Sequence, residues 1–271
     1  MEPAAPAIEP RKLSTLASLV LLAYCLVRVV PLPSTSVTPT LLGITIRLDL
    51  NATALRLILA ASLAVAGTDW IIRSHPRAAA LQPSFEHWII PGLAALALGG
   101  IAIRLPYGAW FWVGLALSAL LLVAVVQAEF IALDREDPRF DWAAISLRAL
   151  AWLLLLGALF AIRISAPRAM LSLPLVFAAV TFVTWRLLRL DEPAASAWVD
   201  AVLVGMAAAQ VDWGLHYWPF TPVRHALLIG LLAYVLVNLI LAFRQGHLGK
   251  ARLTEIGSVS AIALLAVLLL S

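Results

Sequence analysis

The chain alternates between long apolar runs and short breaks that carry most of its charges and prolines. Each run has about 18 residues or more, which is enough for a helix to cross roughly 30 Å of hydrocarbon. The pattern therefore predicts about nine transmembrane helices. Their predicted positions are 13–30, 53–72, 87–105, 108–132, 142–163, 168–189, 197–217, 222–243 and 253–270.

Composition indicates the same fold class, an all-α bundle of membrane helices. Of the 271 residues, 63% are hydrophobic and 13% are charged, whereas soluble domains contain about 25% charged residues. So few charges cannot cover the surface of a water-soluble fold. A transmembrane β-barrel would show alternating segments of about ten residues, and the sequence lacks them. We predict one integral membrane domain over residues 1–271, because the loops are too short to form a separate soluble domain.

The distribution of basic residues predicts how the chain is inserted. The loops hold eleven Lys and Arg residues on the N-terminal side and seven on the other, with Arg148 inside a span. By the positive-inside rule, the N-terminus is cytoplasmic and the C-terminus lies outside. The 19 basic residues form no cluster, so nucleic acid is not a predicted partner. The run 13–27 is predicted to be a retained span rather than a signal peptide, because no small-x-small cleavage site follows.

The longest predicted loop, roughly 31–52, contains a strand-like segment. In GITIRLDLN, residues 43–51, apolar side chains alternate with polar ones. This period of two, with β-branched residues, is typical of a strand. We predict a short β-like structure near 40–51 that caps the outer end of the bundle, a binding lid being the alternative.

Nine of the ten tryptophans lie within a few residues of a predicted span end, and only Trp152 is well inside a span. Tryptophan prefers the headgroup level of a bilayer, where its ring is apolar and its N–H stays hydrated. The tryptophans therefore predict the membrane boundaries rather than a cofactor pocket.

Small residues recur every four positions in the span 197–217, which allows a neighbouring helix to approach closely. The same stripe continues by three or four residues to Asp212 and then to His216. We therefore expect both side chains to face protein rather than lipid. The small residues of this stripe are Ala201, Gly205 and Ala209.

Two further acids, Asp69 and Glu129, are predicted to lie on faces of the same kind. A charged side chain at the centre of a membrane helix costs about 2.5–3.5 kcal/mol on insertion scales, so it usually has a partner or a function. A desolvated carboxyl group can carry a proton, as in the relays of pumps and transporters. Arg73, one turn after Asp69, can pair with it. The small residues are Ser62 and Ala66 for Asp69, and Gly114 and Ser118 for Glu129.

Asp212 and Glu129 have less obvious partners than Asp69. Asp212 can bond to His216, to the Trp218 N–H or to a loop backbone group. Glu129 has no basic residue one turn away, so its partner must come from another helix, and Arg148 is one candidate. The candidate intramembrane polar site therefore consists of Glu129, Asp69, Arg73, Asp212, His216 and Arg148.

The sequence contains no motif of a known enzyme class: no P-loop, no G-x-G-x-x-G after a strand and no G-x-S-x-G. The histidines lack metal-binding spacings, so neither a metal nor a cofactor is predicted. One alternative stays open, in which His216 and His225 approach each other across a turn and bind zinc or haem with Asp212. The single cysteine, Cys25, excludes an internal disulfide. The charged stretch DREDPRFD, residues 134–141, is predicted to be a hydrated turn.

The stretch TDWIIRSHP, followed by EHWIIPGLAALALGG, resembles an uncharacterised family of bacterial multi-pass membrane proteins of unknown function. The resemblance covers about residues 67–100. It implies a protein of the bacterial inner membrane and assigns no functional residue.

Three functions are compatible with the sequence. The leading hypothesis is transporter-like handling of a small solute, ion or proton, with Glu129, Asp69 and Asp212 on internal faces. The second is a non-catalytic membrane scaffold, in which the acids are structural pairs and the small-residue faces bind other membrane helices or a second copy of the chain. The third is an intramembrane enzyme acting on lipid, which no motif favours. The lipid bilayer is the partner common to all three.

Overall fold

A computed structural model shows that the chain consists mostly of helices. It describes residues 8–29, 35–37, 40–41, 44–45, 48–50, 52–78, 85–165, 168–191, 197–246 and 249–269. Each helix begins and ends within three residues of a predicted span, so the apolar runs located the helices well. The nine α-helices of the described residues are α1 (Pro10–Val29), α2 (Ala52–Arg73), α3 (Ile89–Arg104), α4 (Ala109–Ile131), α5 (Phe140–Ser165), α6 (Ala169–Asp191), α7 (Ala197–His216), α8 (Pro222–Arg244) and α9 (Lys250–Leu269).

Six of these helices are long and apolar enough to cross a membrane. They are α2, α3 together with the 3-10 turn Phe85–Trp88 that precedes it, α4, α5, α6 and α8. The chain is therefore a helical membrane protein. The helices α1, α7 and α9, each of 20 residues, stay predicted spans.

Four short strands lie between α1 and α2. β1 (Thr35–Val37) pairs with β4 (Leu48–Leu50), and β2 (Thr40–Leu41) pairs with β3 (Ile44–Thr45). Both pairs are antiparallel. The remaining residues of the predicted alternating segment, 43, 46, 47 and 51, lie outside the described residues. A position at the outer end of the bundle stays a prediction for this segment.

The chain divides into two compact units, unit 1 (residues 1–143) and unit 2 (residues 144–271). In unit 1, apolar faces of α1, α2 and α4 form a common core that includes Leu16, Val20, Ala64 and Phe130. The Tyr24 hydroxyl adds a polar contact within this core, because it donates a hydrogen bond of 2.6 Å to the Ala95 carbonyl of α3. A single membrane domain stays a prediction for the whole chain.

The buried face of α2 differs from the predicted one. Ser62 and Ala66 are exposed, whereas Ala60 and Ala64 are fully buried. The Asp69 side chain is 28% exposed. The prediction that Asp69 follows a packed small-residue face is therefore wrong. Alanines occur all around this helix, so their spacing did not identify the face that packs.

In α4 and α7, the buried face agrees better with the face predicted from the spacing of small residues. In α4, Ser118 and Glu129 lie on the buried face. In α7, the buried face includes Ala201, Gly205 and the candidate residues Asp212 and His216. Ala209 is only partly buried, and Ala208 is buried in its place.

Gly205 lies where α6 and α7 pack closely. A methyl group at this position would overlap the Thr181 hydroxyl of α6, and it would lie 3.0 Å from the Phe177 carbonyl oxygen. The Phe177 carbonyl belongs to the backbone of α6, so it cannot rotate away as a side chain can. The missing side chain at Gly205 therefore allows the two helices to pack at this distance.

We expect Gly205→Ala to destabilise the protein by about 1–3 kcal/mol, because α6 and α7 would have to move apart. Thermal unfolding of the purified protein measures the change. Gly214→Ala on the same helix is the matched control, since a methyl group there has no neighbour within 4 Å. A loss of stability in Gly214→Ala equal to that in Gly205→Ala would contradict the close approach.

Candidate functional site

Glu129 lies in the last turn of α4 and is fully buried, with 0% exposure. Its Oε2 atom lies 2.8 Å from Nδ1 of His87, which is also buried. His87 belongs to the 3-10 turn Phe85–Trp88 that leads into α3. A carboxylate at the end of one helix therefore meets an imidazole at the beginning of another.

A second carboxylate lies on the other side of the imidazole. Glu86 Oε1 is 4.0 Å from His87 Nε2, and both side chains are 6% exposed. The imidazole therefore lies between two buried carboxyl groups, and we call this set the Glu86–His87–Glu129 cluster.

Asp69 connects the turn that carries His87 to α2. Arg73 Nε donates to Asp69 Oδ2 at 2.6 Å, so the predicted pair one helical turn apart is present. Trp88 Nε1 donates to the other oxygen, Oδ1, at 3.1 Å. The Arg73 side chain is 65% exposed, so water screens this pair. Asp69 thus positions the residue next to His87.

The turn after α4 is held by ion pairs. Arg77 donates to Asp134 at 2.9 Å and to Glu136 at 2.7 Å. Arg139 donates to Asp137 at 2.8 Å, and the hydrogen bonding of Arg139 is the main cause that keeps the pKa of Asp137 below its usual value. Both aspartates are 7% exposed. The prediction of a hydrated turn is wrong for these two residues, because they turn inward to meet arginines.

His75 is buried beside the same turn. Its ring packs edge-on against Phe130, with ring centroids 4.6 Å apart, and its Nδ1 accepts a hydrogen bond of 3.1 Å from the Arg77 backbone N–H. Burial is the main cause that lowers the pKa of His75; Arg77 lowers it further, and Asp134 and Asp137 oppose the change. His75 is therefore mainly neutral at pH 7, with its proton on Nε2.

In unit 2, Asp212 is 1% exposed and contacts two other helices. Ser172 of α6 donates to Asp212 Oδ2 at 2.6 Å. On the other side, His225 Nε2 of α8 lies 2.9 Å from Asp212 Oδ1. This second contact is close but poorly aligned as a hydrogen bond, so its attraction is mainly electrostatic. The prediction that Asp212 bonds to His216, Trp218 or a loop backbone group is wrong, because its nearest partners come from α6 and α8.

His216 has a different partner. Arg163 of α5 lies with NH1 3.1 Å from His216 Nδ1 and donates through NH2 to the His216 carbonyl at 3.0 Å. A guanidinium group has only donors, so His216 Nδ1 is the acceptor. In the described part of the chain, His216, His225 and Asp212 do not form a group that could hold a metal ion. The three-ligand zinc alternative is therefore not formed by these residues, whereas haem binding by the two histidines stays untested.

Arg148 pairs with Asp191, with NH2 2.5 Å from Oδ1. Glu129 has His87 as a near partner, and the candidate pairing of Arg148 with Glu129 stays a prediction. The six predicted site residues are thus divided among several contacts. Glu129 belongs to a buried cluster, Asp69 and Arg73 form a partly exposed pair, and Asp212, His216 and Arg148 each have separate partners.

The sequence profile of one family matches residues 32–270, which is most of the chain. The chain belongs to the DUF5656 family. Its description is "Protein of unknown function", so the predicted resemblance to an uncharacterised family is confirmed. The DUF5656 match includes every residue of the Glu86–His87–Glu129 cluster and of the Asp212 contacts. The chain matches no curated protein and no solved structure.

Several residues that contact Glu129 or Asp212, directly or through His87, were not predicted from the sequence. They include Glu86, His87 and Ser172, whose partners are distant in sequence. A local signal existed for the first two, because EHW stands directly before the apolar run of α3 and places polar side chains at a helix start. Spacing rules for metal sites did not detect His87, because its partner is a carboxylate 42 residues away.

Lowering the pH below about 6.5 is expected to destabilise the protein through His75. Its folded pKa is lower than that of the unfolded chain, so the unfolded state binds the proton first. The stabilisation present above the unfolded pKa is then lost as the pH falls through the folded pKa. Between about pH 7 and pH 5, the Tm should fall more steeply in the native protein than in His75→Gln. Equal slopes in thermal unfolding would contradict this role.

Proposed function

We propose that this DUF5656 protein carries protons across the membrane in which its helices lie. The observation that supports the proposal is the contact between Glu129 and His87, at 2.8 Å with both side chains buried. Ionisable residues buried in membrane helices are typical of proton relays. Glu86 adds a second carboxyl group to the same imidazole.

Helix dipoles make this site suited to binding and releasing a proton. Glu129 lies at the C-terminal end of α4, where the dipole opposes a negative charge, and His87 lies at the N-terminal end of α3, where the dipole opposes a positive charge. Both helix dipoles therefore disfavour the ion pair between the Glu129 carboxylate and a protonated His87. A neutral carboxyl–imidazole pair and an ion pair then lie closer in free energy than they would in water, which favours proton exchange between them.

Unit 2 repeats this chemistry at Asp212. The carboxylate lies in the last turns of α7, and His225 lies in the first turn of α8. Ser172 donates to the carboxylate rather than to the histidine, so the three side chains lack the serine–histidine–acid order of a catalytic triad. This arrangement favours proton handling over an intramembrane enzyme.

A second function, a non-catalytic membrane scaffold, is favoured by a different observation. Three acids on helices are satisfied by arginines in the manner of structural pairs, and none of these pairs requires a moving proton. The three pairs are Asp69 with Arg73, Asp191 with Arg148, and Asp200 with Arg244. A test of proton movement separates the two functions.

We expect liposomes that contain the native protein and an enclosed pH-sensitive dye to change internal pH faster than protein-free liposomes when a potassium diffusion potential is applied. Glu129→Gln should lower this proton flux by about tenfold or more, because an amide cannot accept the proton. His87→Gln should have an effect in the same direction.

Glu9→Gln is the matched control. The Glu9 side chain is 68% exposed and forms an ion pair with Lys12. This variant should retain the native flux. Native protein that is folded but moves no more protons than empty liposomes would overturn the proton-carrying function and leave the scaffold as the better one.

We also propose that the protein lies in the bacterial inner membrane with nine spans and a cytoplasmic N-terminus. The excess of basic residues on the N-terminal side, eleven against seven, supports this orientation. The turn between α4 and α5 would then be cytoplasmic, and the turn between α7 and α8 would be outside.

Cysteine labelling in intact bacterial cells tests this orientation. In a Cys25→Ser background, Tyr217→Cys should react with a membrane-impermeant maleimide, whereas Glu136→Cys should react only after permeabilisation. Both positions are well exposed, at 77% for Tyr217 and 78% for the Glu136 side chain, so reactivity reports on the side of the membrane. The reverse labelling pattern would show that the orientation is inverted.

A further inference from the structure

Unit 2 has a groove of about 320 Å³ between α6 and α7 that opens at the surface of the unit. Its wall is mostly apolar, and two of its side chains are well exposed, Met206 at 48% and Trp213 at 60%. The Glu86–His87–Glu129 cluster and the Asp212 contacts make no use of this groove. Its wall also includes Pro174 and Phe177 of α6 and Ala209 and Gln210 of α7.

The groove follows α7 toward its C-terminal end. It starts beside Gly205, where α6 and α7 pack closely, and its wall continues to Trp213, three residues before α7 ends at His216. With α7 as the predicted span 197–217, Trp213 lies near the headgroup level of the bilayer and Met206 lies deeper. The groove therefore runs from the headgroups into the hydrocarbon.

The size of the groove restricts its occupant. Met206 and Trp213 are separated by about 10 Å along the helix axis, at 1.5 Å per residue. A volume of about 320 Å³ over this length leaves a cross-section of about 30 Å², whereas a helix 10–12 Å in diameter has a cross-section of about 80–110 Å². A helix of a partner is therefore too wide. The same volume holds about ten groups of the size of a water molecule, such as the methylene groups of one hydrocarbon chain.

The polar groups of the wall lie toward the headgroup end. Gln210 and Trp213 are both exposed, and neither side chain has a hydrogen-bond partner in the described part of the chain. Three residues apart on α7, they share one face of the helix. An amide or indole N–H that meets hydrocarbon without an acceptor is unfavourable, so a suitable ligand has acceptors at this end of the groove and none farther along.

We propose that this groove binds a diacyl phospholipid, with one acyl chain against the wall and its ester carbonyl accepting hydrogen bonds from Gln210 and Trp213. These residues lie about 9 Å and about 4.5 Å below the end of α7, which is the level at which ester carbonyls lie beneath the headgroups. Lipid binding at this site does not depend on proton movement.

Photo-crosslinking of the purified full-length protein in detergent tests the proposal. The probe is one equivalent of phosphatidylglycerol with a diazirine about eight to ten carbons from the ester carbonyl, since Met206 is about 10 Å from Trp213. After irradiation, mass spectrometry should find the label mainly at Met206 and Phe177. Unlabelled diester phosphatidylglycerol should compete at least about fivefold better than its diether analogue, because an ether oxygen is a weaker acceptor than a carbonyl.

Two variants test the wall. Ala209→Leu should lower the labelling by at least about fivefold, because the added side chain occupies the groove. Gln210→Leu removes a donor, so it should reduce the difference between the diester and diether competitors. The matched controls are Ala207→Leu, at a partly buried alanine of α7 outside the wall, and Gln245→Leu, at an exposed glutamine outside it. Both controls should be labelled like the native protein.

Three results would overturn the proposal: label spread evenly over exposed positions such as Leu203, unchanged labelling of Ala209→Leu that is folded by thermal unfolding, or equal competition by the two lipids. A groove that is not labelled, in a protein that is dimeric in detergent and becomes monomeric in Gln210→Leu, would show that a second copy covers it. The measurement uses no membrane potential, so failure here leaves the proton-flux result unaffected.

Discussion

A carboxylate that loses contact with water needs a neighbour that balances its charge, and this constraint determines the polar contacts of both units. Five acids of the described helices fall into two groups. Asp69, Asp191 and Asp200 keep 22–28% of their side chains exposed, and each pairs with an arginine. Glu129 and Asp212 are 0% and 1% exposed, and each contacts a histidine.

The choice of partner follows from the chemistry of the two bases. Arginine stays charged under all ordinary conditions, so its pair with a carboxylate is always ionic. Histidine can be neutral, and its pair with a carboxyl group can exist without net charge separation. A histidine partner therefore allows a carboxyl group to be completely buried without charge separation.

Contacts between neighbouring turns of one helix could be predicted from the sequence, whereas contacts between elements could not. Apolar runs determine where a membrane helix begins and ends, and the spacing of Asp69 and Arg73 places them one above the other on α2. The partners of Glu129 and Asp212 depend on which helices pack together, and no local pattern contains that information. For the same reason, the inward direction of Asp134 and Asp137 was missed, since their charged sequence resembles that of any hydrated turn.

The 3-10 turn Phe85–Trp88 holds two helices through two consecutive residues. His87 contacts Glu129 of α4, and Trp88 donates to Asp69 of α2, so α3 cannot slide along its axis without straining one of these contacts. The charge state of Glu129 therefore changes the force on the beginning of α3. By thermodynamic linkage, a displacement of α3 changes the affinity of the cluster for its proton to the same extent. Under the proposed function, this single turn would couple protonation of Glu129 to a displacement of α3.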